Sequence, residues 1–165
     1  MENFMEIALE YAENALQDGD FPVGCIIVYK DEIIADGIRI NSKGIDTNEL
    51  DHAEIRALRK LTNLDEPINR KECTLYTTLE PCLMCFAAII INGIGKIVYA
   101  YEDAMGGYSG CDISNLKPIY KNSGIVVVSN VLRERSLVLF KKFFSNPRNL
   151  YLKNTLLSSY TLNLI

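Results

Sequence analysis

The chain has no tryptophan, a single histidine, only five prolines and no apolar run long enough to cross a membrane. The apolar stretch that ends at Ile91 is followed by Asn92 and Gly93, far short of the roughly 20 residues that a membrane span needs. The first residues, Met1-Glu2-Asn3-Phe4-Met5-Glu6, are acidic where a secretory signal is basic. We therefore expect a soluble, cytoplasmic protein with no membrane partner.

An excess of basic residues is also absent. Lys and Arg number 17 against 21 Asp and Glu, which gives a net charge of −4 at pH 7. Proteins that grip the phosphate backbone of nucleic acids usually carry a basic surface. The charge balance counts against such a grip, although net charge does not say where the charges lie.

The residues that are present fit one globular domain of ordinary size. The chain has 165 residues, 48% of them hydrophobic, with no low-complexity tract. The cysteine count of five is odd, and Cys25, Cys73 and Cys111 are scattered along the chain. A disulfide framework is therefore not expected. Cys82 and Cys85 differ from the others because they form a close pair.

Hydrophobic spacing predicts an alternation of helices and strands. Helices are expected over about residues 4–17, 52–64, 81–91 and 131–144, and strands over about 23–29, 33–40, 73–78, 96–101 and 125–129. Pro81 is expected at the first helical position. This order predicts an α/β fold, a mixed sheet with helices on both faces. Residues 149–165 are expected to add a helix, because Leu152, Leu156 and Leu157 are suitably spaced.

The only histidine, His52, and the pair Cys82 and Cys85 make up a zinc-ligand set. Catalytic zinc sites usually have three protein ligands of this kind and keep the fourth position for water or hydroxide. A helix start near the cysteines favours their thiolate forms. Glu54, two residues after His52, is placed to move the proton of that water as a general acid–base.

Each of these features alone has a simpler explanation. A Cys-x-x-Cys pair also occurs as a redox pair or by chance, and a lone histidine at a helix start is often a cap or a core residue. The combination of the single histidine, a glutamate two residues later and a Pro-Cys-x-x-Cys helix start is far more specific. It predicts a catalytic zinc site.

His52-Ala53-Glu54 with Pro81-Cys82-x-x-Cys85 resembles the signature of the cytidine/deoxycytidylate deaminase superfamily. The run from Thr77 to Cys85, the run Phe21-Pro22-Val23-Gly24 and the loop at Asp103-Ala104 are similar to its tRNA-specific adenosine deaminase and guanine deaminase branches. The resemblance extends from about Met5 to Phe144. It implies a three-layer α/β/α sandwich around a central five-stranded mixed sheet, the cytidine-deaminase-like fold. Residues 1–148 are then the zinc-dependent deaminase domain, and residues 149–165 are a C-terminal helical extension of the same domain.

The resemblance also implies how the site works. One Zn²⁺ per subunit is held by His52, Cys82 and Cys85, and Glu54 carries a proton from the activated water to the leaving amine in a hydrolytic deamination. The family further implies a homodimer.

Four substrate contacts are expected. By resemblance, Asn41 and Asp103 take the places of substrate-contacting residues, although a turn residue and a solvated loop carboxylate are the simpler roles. Ala53 is expected as a third substrate contact. The backbone N–H of Cys82 is a candidate donor from its position at a helix start.

The substrate class is less well determined by the sequence. Met105-Gly106 stands where the tRNA enzymes carry Lys-Thr, and the C-terminal tail has no basic cluster. A free nucleobase or nucleoside is therefore the favoured substrate and small-molecule partner. The alternative is a tRNA-specific adenosine deaminase that makes inosine in an anticodon loop. A different class of protein, a non-catalytic zinc-stabilised binding protein, would have no need of Glu54.

Overall fold

A five-stranded mixed sheet runs through the middle of the structure, a computed structural model that describes residues 1–43 and 47–164. The strands are β1 (Gly24–Tyr29), β2 (Glu32–Ile38), β3 (Thr74–Leu79), β4 (Lys96–Tyr101) and β5 (Val126–Val128). The α-helices are α1 (Glu2–Gln17), α2 (Ala53–Thr62), α3 (Leu83–Ile91), α4 (Pro118–Lys121), α5 (Arg133–Ser145) and α6 (Leu156–Asn163). No helix of the described residues has both the length and the apolar character needed to cross a bilayer.

The order of the strands brings the carboxyl ends of two parallel strands together at one edge of the sheet. The order is β2-β1-β3-β4-β5, with β1 antiparallel to both its neighbours and β3, β4 and β5 parallel. The carboxyl ends of β3 and β4 therefore lie side by side. The chain leaves β3 toward Cys82 and leaves β4 toward Asp103 at this edge, where ligands bind in open α/β sheets.

The two faces of the sheet contribute to two separate apolar clusters, as the period of two in a strand requires. Ile26 and Val28 of β1 lie in the cluster that includes helix α1, whereas Cys25 and Ile27 lie in the cluster that includes α2 and α3. Helix α5 packs beside α1 and against β4. The predicted three-layer α/β/α fold with a five-stranded mixed sheet is thereby confirmed.

Helix α2 lies against strand β2 with no room for a side chain between them. A Cβ atom on Gly37 would lie 1.9 Å from the carbonyl oxygen of Ala53. The first turn of α2 is thus held close to the sheet, and this contact positions His52 and Glu54.

The predicted first residue of the third helix is wrong. Helix α3 begins at Leu83, not Pro81, and Cys82 is its N-cap with extended backbone (φ −69°, ψ 168°). The cause is a contact with the loop after β4, because Cys82 forms an antiparallel bridge with Gly107 and Tyr108 N–H donates to the Pro81 carbonyl.

Of residues 149–164, the described part of the C-terminal segment, only Leu156–Asn163 form an α-helix. Leu152 and Asn154 adopt left-handed backbone conformations (φ 53° and 60°), which a right-handed helix cannot include. Leu152 therefore belongs to a turn that folds back over the domain, and residue 165 lies outside the described part of the chain.

Candidate active site

A pocket of about 220 Å³ opens at the carboxyl ends of β3 and β4. Its lining combines the starts of α2 and α3, the loop after β4 and part of the C-terminal segment. The lining residues are Phe21, Val23, Arg39, Glu49, His52, Ala53, Glu54, Leu79, Glu80, Cys82, Asp103, Met105, Gly106, Tyr151, Leu152 and Leu157.

The predicted zinc ligands converge at the wall of this pocket. His52 Nδ1 lies 3.7 Å from Cys82 Sγ and 3.4 Å from Cys85 Sγ. A tetrahedral zinc ion with ordinary Zn–N and Zn–S bonds separates such donor atoms by about 3.6 Å. Among residues 1–43 and 47–164, these three form the one group of His, Cys, Asp or Glu donors that could hold a metal ion. The donor set and its spacing therefore fit zinc.

Two helix starts carry the three donors. His52 is the N-cap of α2, Cys82 is the N-cap of α3, and Cys85 is the third residue of α3. The positive ends of both helix dipoles point toward the site, and they favour the anionic thiolates that zinc requires.

The hydrogen bonding between the two thiols shifts their pKa values in opposite directions. Hydrogen bonding with Cys85 lowers the pKa of Cys82 to about 4. The same hydrogen bond, with burial and the nearby Glu54 charge, raises the pKa of Cys85 well above its usual range. At neutral pH the metal-free pair therefore holds one proton, on Cys85.

Glu54 lies in the first turn of α2, with only 3% of its surface exposed. The Thr77 hydroxyl donates to its Oε1 atom at 3.2 Å, while Oε2 faces the Cys85 thiol at 3.6 Å. Burial raises the pKa of this carboxyl above its ordinary value. A carboxylate in such a place can take up and release a proton next to the metal-binding donors.

Glu80 fixes the loop that follows β4. Its buried carboxylate accepts hydrogen bonds from the backbone N–H groups of Asp103 (3.1 Å) and Ser109 (2.8 Å). A Cβ atom on Gly107 would lie 2.4 Å from this carboxylate, so the close approach requires glycine. Glu80 belongs to the family-like run from Thr77 to Cys85, but nothing in the sequence predicts that its carboxylate holds the loop after β4.

Three of the four predicted substrate contacts line the pocket, namely Ala53, Cys82 and Asp103. Burial raises the pKa of Asp103, whose Oδ1 accepts from the N–H groups of Met105 (2.9 Å) and Gly106 (3.0 Å). Asn41 does not line the pocket. Its side-chain amide donates to Asp51 Oδ2 at 3.2 Å.

Three further residues line the pocket that no sequence pattern singled out. Arg39, only 2% exposed, follows β2, Glu49 lies in the loop before His52, and Tyr151 comes from the C-terminal segment. They contact one another across as many as 112 positions of sequence, a separation that no local motif reports.

The family model that describes the cytidine and deoxycytidylate deaminase zinc-binding region matches residues 1–101. The chain belongs to the cytidine and deoxycytidylate deaminase family. This deaminase is 31% identical to the tRNA-specific adenosine deaminase of Bacillus subtilis, over 89% of the chain and 90% of the relative. It is 35% identical to the enzyme of the same name from Rickettsia typhi, over 88% and 98%.

Solved structures of other deaminases have a similar fold. A chain from a study of A-to-I editing by tRNA:A34 deaminases at the wobble position superposes with a TM-score of 0.68, at 27% identity and over 84% of this chain and 99% of that one. The guanine deaminase of Nitrosomonas europaea superposes with a TM-score of 0.66, at 26% identity and over 86% and 83%. The predicted family, zinc cofactor and hydrolytic attack on a C–N bond are therefore confirmed, and the non-catalytic zinc-binding alternative is not supported.

Proposed function

We propose that this deaminase converts adenosine to inosine in the anticodon loop of a tRNA. The observation that carries the proposal is the nearly full-length match to curated tRNA-specific adenosine deaminases, with 90% of the Bacillus subtilis enzyme and 98% of the Rickettsia typhi enzyme covered. The comparisons thus favour the alternative over the free base or nucleoside that the acidic composition had suggested. Net charge gives no account of where basic residues lie, so it is the weaker guide.

The size of the pocket supports a single base as the group that reacts. Its volume of about 220 Å³ lies below the range of about 300 to 1,000 Å³ that is typical of sites for drug-sized ligands. An enzyme that acts on a base within RNA needs room for one unstacked nucleotide, which it takes out of the stack.

His52, Cys82 and Cys85 are proposed as the zinc ligands and Glu54 as the catalytic proton carrier. When bound, zinc supplies a water activated for attack on the carbon that bears the amine. Glu54 Oε2 would receive the proton that the attacking water gives up, because Oε1 already accepts a hydrogen bond from the Thr77 hydroxyl. The same carboxyl then returns the proton to the amine nitrogen, and ammonia leaves.

The substrate contacts are proposed in two groups. Ala53, the Cys82 backbone and Asp103 lie at the pocket and need no rearrangement. Asn41 is proposed as a fourth contact, and this role requires its amide to leave Asp51 and turn toward the base.

A homodimer in the cytoplasm is proposed as the working form. Helix α3 exposes Leu83 (54%) and Ile91 (58%), which with Ala87 between them lie on one face at four-residue spacing. A second copy of the chain would cover this face. Sedimentation should give the mass of two chains for the native protein and of one chain for the variant Ile91→Asp.

A free purine base is the second candidate substrate. Tyr151, Leu152 and Leu157 of the C-terminal segment line the pocket, so part of its surface comes from a segment that a small molecule could contact directly. The structural similarity to a guanine deaminase is consistent with this candidate.

One experiment separates the candidates. Zinc-loaded protein is incubated with an anticodon stem-loop RNA that carries adenosine at the wobble position, and in parallel with adenosine, adenine, guanine and cytosine. Inosine in the digested RNA and ammonia release are measured, with Glu54→Gln as the inactive control. Turnover of the RNA supports the proposal, whereas turnover of a free base with no inosine in the RNA overturns it.

A further inference from the structure

The two ring nitrogens of His52 face different partners. Nδ1 points toward the Cys82 and Cys85 sulfurs, whereas Nε2 lies 3.9 Å from Oε2 of Glu49. A histidine that binds a metal through Nδ1 carries its proton on Nε2 and can donate it. Glu49 is the carboxylate that the described structure places within ion-pair distance of that donor.

Glu49 is held in this place by two other residues of the pocket. The Tyr151 hydroxyl donates to Glu49 Oε2 at 2.8 Å, and Arg39 Nη2 donates to the same oxygen at 3.2 Å. Arg39 is itself buried and fixed, because its Nη1 donates to the carbonyl oxygen of Asn48 at 2.8 Å. Although 58% of the Glu49 side chain is exposed, its carboxylate is thus oriented by an arginine and a tyrosine.

The two donors that hold this carboxylate favour its charged form. The Arg39 guanidinium and the Tyr151 hydroxyl both donate to Glu49 Oε2. A charged acceptor makes a stronger hydrogen bond with an imidazole N–H than a neutral one.

We infer that Glu49 is a positioning residue that orients His52 for zinc through its Nε2 proton, with Tyr151 as its support. Metal-binding histidines usually donate their second N–H to a carboxylate, carbonyl or water, which fixes the ring and raises its basicity as a ligand. A movement of less than about 1 Å brings the 3.9 Å separation into hydrogen-bond range. The inference rests on the proposed zinc ligands and does not depend on which base is the substrate.

Tyr151 makes the C-terminal segment part of the metal site. Two contacts anchor this segment on strand β4 and the loop after it. The Tyr101 hydroxyl pairs with Thr161 Oγ1 at 2.9 Å, and the Tyr160 hydroxyl donates to Glu102 at 2.7 Å. The segment is therefore fixed at its helix, and its turn delivers the Tyr151 hydroxyl to Glu49.

The test measures zinc retention. Zinc-loaded native protein and variants are mixed with a chromogenic chelator, and the rate of zinc release is followed. Glu49→Ala is expected to release zinc roughly 10- to 100-fold faster, the usual effect of removing an outer partner of a ligand. Tyr151→Phe is expected to show a smaller increase. The matched control is Glu10→Gln, which removes a carboxylate from the exposed side of α1 and should release zinc at the native rate.

A second readout uses the fact that His52 is the only histidine of the chain. In ¹⁵N-labelled zinc-loaded protein, its Nε2–H should give one slowly exchanging resonance, and Glu49→Ala should speed its exchange. If Glu49→Ala does not fold, Glu49→Gln takes its place, because it keeps the shape of the side chain but loses the charge.

The zinc-release test of Glu49 can fail or succeed independently of the test of the proposed substrate. Native zinc release and native Nε2–H exchange in the Glu49 variant overturn the inference, and equal zinc loss from Glu10→Gln also overturns it. Absence of RNA deamination by native protein would contradict the proposed function and leave the zinc-release result unchanged.

Discussion

The Thr77 hydroxyl of strand β3 donates a hydrogen bond of 3.2 Å to Glu54 Oε1, so the sheet sets the orientation of the carboxylate at the start of helix α2. Thr77 is fully buried, and its contact leaves Oε2 directed toward the thiols. The strand thus selects which oxygen of Glu54 meets the reacting atoms.

Thr77→Val should lower kcat with little change in zinc content. A hydrogen bond to a charged group contributes about 1.5 kcal/mol or more, so the loss of orientation should cost roughly tenfold in rate. Steady-state kinetics on whichever substrate the protein turns over in the RNA and free-base assay would measure this loss of rate. Thr74→Val, at the other end of the same strand, is the isosteric control, and an equal loss of rate in both variants would contradict the role of Thr77.

Glu54→Gln should abolish turnover while zinc remains bound. The amide keeps the shape of the side chain but cannot accept the water proton, and general acid–base groups typically contribute about 10²- to 10⁴-fold. Zinc content by atomic absorption and turnover are measured on the same sample. A zinc-loaded Glu54→Gln protein with native kcat would remove Glu54 from the mechanism.

The catalytic constellation could be predicted from sequence because zinc chemistry restricts residue type and spacing together. His52, Cys82 and Cys85 are the residue types that zinc prefers, and each lies at a helix start that an apolar pattern indicates. Glu54 follows from its distance to His52 in one helix turn. Local patterns of this kind can be recognised without knowledge of the fold.

Other parts of the site depend on tertiary contacts that no local pattern contains. Tyr151 contacts Glu49 across 102 positions of sequence. In the sequence, Arg39 is one more charged residue at the end of a strand, and its burial becomes evident only in the structure. The start of α3 was misplaced because a distant glycine, Gly107, bridges to Cys82 and keeps it extended.

Zinc binding should release protons in amounts that depend on pH. The raised pKa of Cys85 means that its thiol keeps a proton in the metal-free protein, and zinc must displace that proton. Cys82, with a pKa of about 4, is already a thiolate at neutral pH. As the pH falls, His52 adds a second proton, and it does so at a higher pH than a free imidazole, because burial is outweighed by hydrogen bonding with Cys82 and the pKa of His52 is raised.

The apparent zinc affinity should therefore fall as pH decreases, and most steeply once His52 becomes protonated. Calorimetric titration in buffers of different ionisation enthalpy counts the protons released. A binding enthalpy that is the same in every buffer at pH 7 would contradict the protonated state assigned to Cys85.

Gly107→Ala should loosen the loop that carries Asp103. The added Cβ would lie 2.4 Å from the Glu80 carboxylate, which must move and lose its hydrogen bonds to the Asp103 and Ser109 backbone. Forcing a methyl group into a packed site typically costs about 1 to 3 kcal/mol. We expect a lower thermal midpoint and a higher KM, because Asp103 lies at the pocket. Gly110→Ala is the matched control, since a Cβ there meets nothing within 4 Å. Equal effects of the two substitutions would mean that general loss of glycine flexibility, and not the contact with Glu80, explains the result.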